Sequence, residues 1–329
     1  LVFPYHRELD AARENRTGKI GNSIGTTKRG IGPAYGDKAA RVGLRVGDLL
    51  DSSFPERLRS LVEEKNKVLQ AMSAETLDAD AVVAEIADAG QFLAPFIADT
   101  IPLLHGVLGR GQSILLEGAQ GTMLDIDYGT YPFVTSSNST AAGACTGTGI
   151  PPHRVDSVIG VVKAYTTRVG EGPFPTELND DDGKNMARIG NEFGATTGRP
   201  RRCGWFDAVV ARYSVMINGV DAWAITKLDV LDTFERIRIC TAYEVDGERI
   251  DSIPGNIRAF AACTPVYEDF EGWMEPTTGA TRFDELPSRA QAYLRRLEEL
   301  TGVPAELVSV GPRRASTIRV SERKDLASA

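Results

Sequence analysis

Three short segments of this 329-residue chain set glycines beside groups that bind anions or bases. The first is Thr226-Lys227-Leu228-Asp229, directly after the apolar run 222–225. A carboxylate at a strand end can accept from two adjacent donors, such as N1–H and the exocyclic amine of guanine. Adenine lacks that donor pair, and leaving the carboxylate desolvated and unpaired would cost about 1–3 kcal/mol. The lysine stem can pack on a base while its charge stays in water. The second is Gly194-Ala195-Thr196-Thr197-Gly198-Arg199-Pro200-Arg201-Arg202, where arginines follow a flexible Gly/Thr turn. Guanidinium forks recognise carboxylate and phosphate through paired hydrogen bonds, so the segment reads as a lid over a small dianion. The third is Glu117-Gly118-Ala119-Gln120-Gly121-Thr122, continued by the hydroxyl-rich stretch 135–140. It fits a loop that offers an amide and backbone N–H groups to a nucleotide. It fits a tight strand-to-helix turn equally well.

No Gly-x-x-x-x-Gly-Lys-Ser/Thr phosphate loop and no Gly-x-Gly-x-x-Gly fingerprint occurs. The four cysteines form no Cys-x-x-Cys pair, and with three histidines a zinc site is not expected. Free thiols are the simplest reading. His105, in an apolar helical stretch, reads as a satisfied core residue, and His6 as a local hydrogen-bonding group. No Ser/His/Asp or Cys/His arrangement suggests itself.

The segments need elements to hold them. Leu1-Val2-Phe3-Pro4-Tyr5 reads as the end of a buried strand, and 17–48 as glycine-rich and irregular. Leu58, Leu61, Val62, Val68, Leu69 and Met72 recur at helical spacing, and a second helical region runs over about 81–108. Runs 113–116, 158–162, 222–226 and 307–308 predict strands, the last two and 113–116 leading into the chemical loops; 206–217 predicts a helix. Asp246-Gly247 predicts a hairpin turn. Ser288-Arg289-Ala290-Gln291 predicts a capping box opening a helix that Gly302 and Pro304 stop. Strands alternating with helices imply a mostly parallel sheet covered by helices, with ligands beyond the carboxyl ends of its strands. A formal net charge of −8 argues against a general nucleic-acid or membrane-surface role, and no run of about 18 consecutive apolar residues occurs.

Together these segments resemble the adenylosuccinate synthetases. Gly30-Ile31-Gly32-Pro33-Ala34-Tyr35-Gly36-Asp37-Lys38-Ala39-Ala40-Arg41 fits the family signature Gly-Ile-Gly-Pro-x-Tyr-x-x-Lys-x-x-Arg. Residues 117–150, 161–178, 194–204 and 226–232 look like family blocks in the right order, and 226–229 is also similar to the Asn-Lys-x-Asp guanine motif of GTPases. The resemblance implies an α/β fold, with a central mostly parallel β-sheet flanked by helices and akin to P-loop NTPases. It implies a single domain over 1–329, incomplete at its N-terminus. The implied activity is GTP-dependent ligation of L-aspartate to inosine monophosphate (IMP) through a 6-phosphoryl intermediate, in a cytoplasmic homodimer. Neither nucleic acid nor membrane would be a partner.

By the same resemblance, Thr27, Arg41, Gln120, Thr135, Val169 and Arg199 would hold IMP. Thr135 would lie on its phosphate and Val169 near its ribose, and Arg41 would reach the partner subunit's site. Ala195, Thr196, Thr197, Gly198, Arg199, Pro200 and Arg201 would bind aspartate. Arg201, Lys227, Leu228, Asp229, Ser309, Val310 and Gly311 would bind GTP, and Lys38 is the catalytic candidate in this chain. The family's Gly-Asp-Glu-Gly-Lys-Gly-Lys loop and its Gly-His-Thr are absent from these residues. Mg2+ ligands are therefore expected upstream of Leu1, with none in this chain. The fragment alone is expected to be inactive, with an exposed sheet edge. A GTP-binding module without ligation chemistry, and a truncated paralogue, are the alternatives.

Overall fold

A computed structural model of the chain describes residues 1–19, 25–194 and 198–320. They form two compact units: Leu1–Gln120 with Leu124–Ser139 and Gly143–Pro151, and Gly121–Met123 with Thr140–Ala142 and Pro152–Ala329.

The first unit is helical: α1 (Pro4–Lys19), α2 (Ile31–Ala40), α3 (Phe54–Ala71), α4 (Ala79–Leu93) and α5 (Thr100–Gly109), with α6 (Ala141–Thr148) following. Pro55 sits at the start of α3, where its missing N–H is not needed. The helical spacing of Leu58, Leu61, Val62 and Leu69 then becomes a buried face against Phe3, Tyr5, Leu9, Val82 and Val83. Asp78 caps α4 by accepting from the amides of Asp80 and Ala81. Among the described residues one helical run, Ala79–Gly109, is apolar and long enough to cross a membrane. It is broken by a 3-10 turn at Ala94–Phe96 before α5, and it exposes Phe92, Phe96, Ile101 and Leu103.

Four expectations fail in this unit. The start of the chain is the N-terminus of a helix: Phe3 and Tyr5 are buried as predicted, but Pro4 opens α1. The glycine-rich stretch contains α2, held by buried Pro33 and Asp37. Asp37 accepts from Tyr5 Oη at 3.0 Å and Lys65 Nζ at 2.7 Å, and it meets His6 Nε2 at 3.0 Å. Burial pushes this carboxyl up, but the bonds from Lys65, His6 and Tyr5 hold it below its ordinary range. His6 Nδ1 accepts from the Phe3 amide, so its local hydrogen-bonding role stands, and Nε2 carries the proton. Residues 113–116 form no strand, and Leu115 is 91% exposed. No described segment runs alongside to complete its hydrogen bonds. His105 is exposed rather than in the core, its Nε2 3.0 Å from the Gly149 carbonyl oxygen.

The second unit is α/β. It comprises β1 (Ile159–Lys163), β2 (Thr166–Arg168), α7 (Asp181–Ile189), β3 (Arg202–Gly204), β4 (Phe206–Asp207), α8 (Ala208–Asn218), β5 (Ala222–Thr226), β6 (Arg236–Val245), β7 (Glu248–Ile250), α9 (Ile257–Ala261), β8 (Thr264–Glu271), α10 (Ser288–Thr301), β9 (Ala305–Ser309) and β10 (Thr317–Arg319). The main sheet has the order β1-β5-β9-β10, parallel except for β10. Its core face carries Trp223, Ile225, Val308 and Ile318, packed with residues of α10 such as Leu294 and Leu297. Ile159 and Val161 are exposed on β1, which is an edge strand among the described residues.

A second sheet is built on the antiparallel pairs of β6 with β7 and β8. Asp246 and Gly247 both have positive φ at the predicted turn. Two boundaries move. Ser288 is the first residue of α10 rather than its cap, and no side chain caps that end. Strand β9 spans Ala305–Ser309 and so extends beyond the predicted 307–308 at both ends.

Candidate active site at the strand ends

The parallel strands β1, β5 and β9 finish side by side: Lys163 is level with Thr226, and Ile225 with Val308. Beyond Thr226 the backbone turns sharply. Lys227 takes a left-handed conformation (φ 60°, ψ 36°) and opens the 3-10 turn Leu228–Leu231. A non-glycine residue here is strained, a feature that concentrates at functional sites. Leu228 is buried and anchors the turn. Asp232 fixes its far side by accepting from Trp273 Nε1 at 2.8 Å and from Thr277 at 2.8 Å (amide) and 2.9 Å (hydroxyl).

That leaves the half-buried Asp229 carboxyl with no side-chain donor among the described residues. Burial, and next the neighbouring Asp232, raise its pKa. In the adjacent strand-end loop, Val310 is buried and Ser309 Oγ donates to the Gly311 carbonyl at 2.8 Å. The two predicted base-reading segments thus meet at neighbouring strand ends.

Beneath them lies a group that sequence reasoning missed. Glu192 is fully buried, with both carboxylate oxygens engaged. Oε1 accepts from Lys227 Nζ at 2.8 Å and from the Tyr165 hydroxyl. Oε2 accepts from Lys163 Nζ at 2.8 Å and from Arg201 Nη1 at 2.7 Å. Burial pushes the carboxyl up, but the donors Lys163, Lys227, Tyr165 and Arg201 outweigh it and hold it at about 2. Burial also lowers the Lys163 ammonium. Three cations share one anion, so the cluster keeps a positive excess at the strand ends. The Lys227 charge is therefore tied inward to Glu192 and the Gly190 carbonyl, and the expectation that it stays solvated is wrong.

Glu192 and Arg201 also form the stem of the arginine segment. The Arg201 amide donates to the Glu192 carbonyl at 2.9 Å, Phe193 bridges Pro200, and the Gly194 amide donates to the Arg199 carbonyl at 2.8 Å. Gly198 is exposed with φ 63°, and Arg199 is half-buried. Ala195, Thr196 and Thr197 lie outside the described residues. Arg202 turns away from the segment: it pairs with Glu177, donates to the carbonyls of Gly170 and Gly172, and stacks on Phe174. It belongs to the scaffold and not to the anion-binding set. Val169, half-buried, follows β2 directly.

In the first unit, Gln120 is exposed and left-handed (φ 63°), a second strained non-glycine residue in a predicted loop. Thr135 is half-buried, its amide donating to the Leu124 carbonyl. The preceding loop is built on buried Asp125, which accepts from the amides of Asp127 and Tyr128. Thr27, Lys38 and Arg41 are exposed, with Lys38 Nζ 5.7 Å from the centre of the Tyr35 ring. Arg41 closes α2 in a left-handed cap, its amide donating to the Asp37 and Lys38 carbonyls.

Residues 1–318 match the family profile of adenylosuccinate synthetase. The adenylosuccinate synthetase of Desulfitobacterium hafniense is 52% identical over 320 residues, covering 97% of this chain and 74% of that protein. That of Geobacter sulfurreducens is 50% identical over 323 residues, covering 98% and 74%. The solved structure of a fully ligated adenylosuccinate synthetase from Plasmodium falciparum superposes with a TM-score of 0.94 at 38% identity, covering 97% of this chain and 76% of that one.

The chain belongs to the adenylosuccinate synthetase family. The activity is therefore GTP-dependent joining of L-aspartate to IMP, giving adenylosuccinate, GDP and phosphate. The expected α/β fold with its mostly parallel sheet holds. Lys163 and Glu192 are what the motif reading overlooked. One signal was available: Lys163 ends its apolar strand run just as Lys227 follows that of β5, and two lysines at adjacent strand ends need a shared counter-charge.

Proposed function

We propose that the β5 and β9 strand-end loops read the guanine of GTP, and that the segment 194–201 binds aspartate. Asp229 accepts from the base edge, Lys227 and Leu228 shape the turn, and residues 309–311 line the other side. Thr197 and Arg199 take the carboxylates of aspartate, Arg201 approaches GTP, and Arg199 also lies near IMP. Thr27, Gln120, Thr135 and Val169 hold IMP, and Arg41 reaches the site of a second copy in a cytoplasmic homodimer. Lys38 is an active-site lysine. The exposed Arg41 and the apolar surface of Phe92, Phe96, Ile101 and Leu103 are in keeping with a covering partner.

In this reading N1 of IMP loses its proton and O6 attacks the γ-phosphorus of GTP, releasing GDP. The aspartate amine then displaces phosphate from C6. Phosphoryl transfer of this kind depends on positioning and charge neutralisation, and the cations around Glu192 supply both. Family members use Mg2+ with GTP. Among the described residues no three His, Cys, Asp or Glu side chains come together to hold a metal ion. No step here is routed through the metal.

The observation that carries the reading is the half-buried carboxyl of Asp229, with no side-chain donor among the described residues, at the end of a strand that neighbours the one ending at Ser309. Its test is Asp229→Asn, assayed against GTP and other nucleoside triphosphates. The expected result is a fall in kcat/KM for GTP of roughly tenfold or more relative to other nucleoside triphosphates. An unchanged nucleotide preference rejects the guanine assignment.

A further inference from the structure

Glu192 is itself in neither of the proposed ligand-contacting sets, yet it holds one cation from each. Lys227 of the guanine turn rests on Oε1, and Arg201 of the aspartate segment rests on Oε2. The backbone strengthens the connection: Lys227 Nζ also bonds the Gly190 carbonyl, and the Arg201 amide bonds the Glu192 carbonyl. The carboxylate is itself immobile, because it is fully buried and receives two further donors, Lys163 and Tyr165, rooted in β1 and just beyond it. A charged group on so many fixed donors cannot move without stranding a buried charge, which is a large penalty.

We infer that Glu192 is the positioning residue that sets the aspartate segment and the guanine turn in register with one another, so that both substrates depend on one carboxylate. The inference rests on the ligand assignments proposed above. A purely structural role would need only a negative charge among three positive ones. A positioning role needs the two oxygens to present Lys227 and Arg201 in fixed directions.

The two roles separate experimentally. Glu192→Gln removes the charge and leaves three cations together, so it is made alongside the double variant Glu192→Gln/Lys163→Met, in which the excess of positive charge returns to its original value. Steady-state kinetics and melting temperature are measured for both. The expected result is that the double variant melts near the parent, yet its KM for aspartate and its KM for GTP each stay raised roughly tenfold, the effect of weakening one charge-assisted hydrogen bond to each loop. KM for IMP should be unchanged. Restoration of both KM values in the charge-balanced variant, or a rise in only one of them, overturns the inference. Asp229→Asn is run in the same assay. If it shifts nucleotide preference while the double variant behaves as the parent, the guanine assignment stands and the positioning role alone falls. If it leaves preference unchanged, the assignment falls and takes the inference with it.

Discussion

The buried carboxyl of Glu192 makes a quantitative prediction about acid. An ordinary glutamate titrates near 4.5, and its four donors hold this one at about 2. A gap of about 2.5 pH units corresponds to about 3 kcal/mol of folding stability, at about 1.4 kcal/mol per unit. The folded-state pKa is depressed, so the unfolded chain takes up protons first as pH falls. The stabilisation is fully present above about pH 4.5 and is lost between there and about 2. About 2 kcal/mol of it should be gone by pH 3. Other carboxylates titrate in the same range, so the informative quantity is a difference. Urea unfolding of the parent and of Glu192→Gln is compared at steps from pH 6 to pH 3. The glutamine cannot titrate, so the parent's advantage should shrink by about 2 kcal/mol across that window while the urea slopes stay equal. Two curves that remain parallel down to pH 3 would mean that the carboxylate is not held by these four donors as described.

Two further outcomes are expected. Arg199→Ala should raise KM for aspartate more than KM for GTP in steady-state assays, and a selective loss of GTP affinity would reverse the roles given to this loop. Gly160→Ala should destabilise the second unit by about 1–3 kcal/mol, because a Cβ there would lie 2.4 Å from the Trp223 ring. That ring is buried and pinned by its bond to Thr301 at 3.0 Å, so calorimetry should show a lower melting temperature, and an unchanged one would contradict the β1–β5 packing.

Most of what is encoded locally was legible in the sequence, the capping box placed at Ser288 excepted. Helix α3 announces itself by apolar spacing, the β6–β7 turn by Asp-Gly, and strand β5 by an apolar run that ends at Thr226. Readings failed where the deciding partner is remote. An apolar run such as 113–116 carries the signal of a strand, but strand structure needs hydrogen bonds that the run cannot make with itself. Helix α2 contains glycines at 32 and 36, which weaken a helix. It forms nonetheless because Asp37 is bound by Tyr5, His6 and Lys65, and nothing in residues 31–40 reveals those partners. Glu192 is the extreme case, with lysine partners 29 and 35 residues away. The arginine run was overread for the same reason: Arg202 has the right type and neighbourhood, but Glu177 claims its guanidinium.

The site's electrostatics follow from its place in the fold. A buried ion cluster adds little to stability over a well-packed apolar plug, because each charge must leave water. An apolar plug beneath the strand ends would pack well and bind no phosphate. Three cations set on one carboxylate meet both requirements. Glu192 satisfies enough of their charge to keep Lys163, Arg201 and Lys227 in place without substrate, and the remaining positive excess stays available to anions at the sheet edge. On the function proposed above, electrostatic pre-organisation of this kind would stabilise developing charge without rearrangement at the moment of reaction. It also explains why the carboxylate is fully buried while its cations remain partly exposed: a solvated Glu192 would be screened and mobile, and the cations it now aims would be free to disperse.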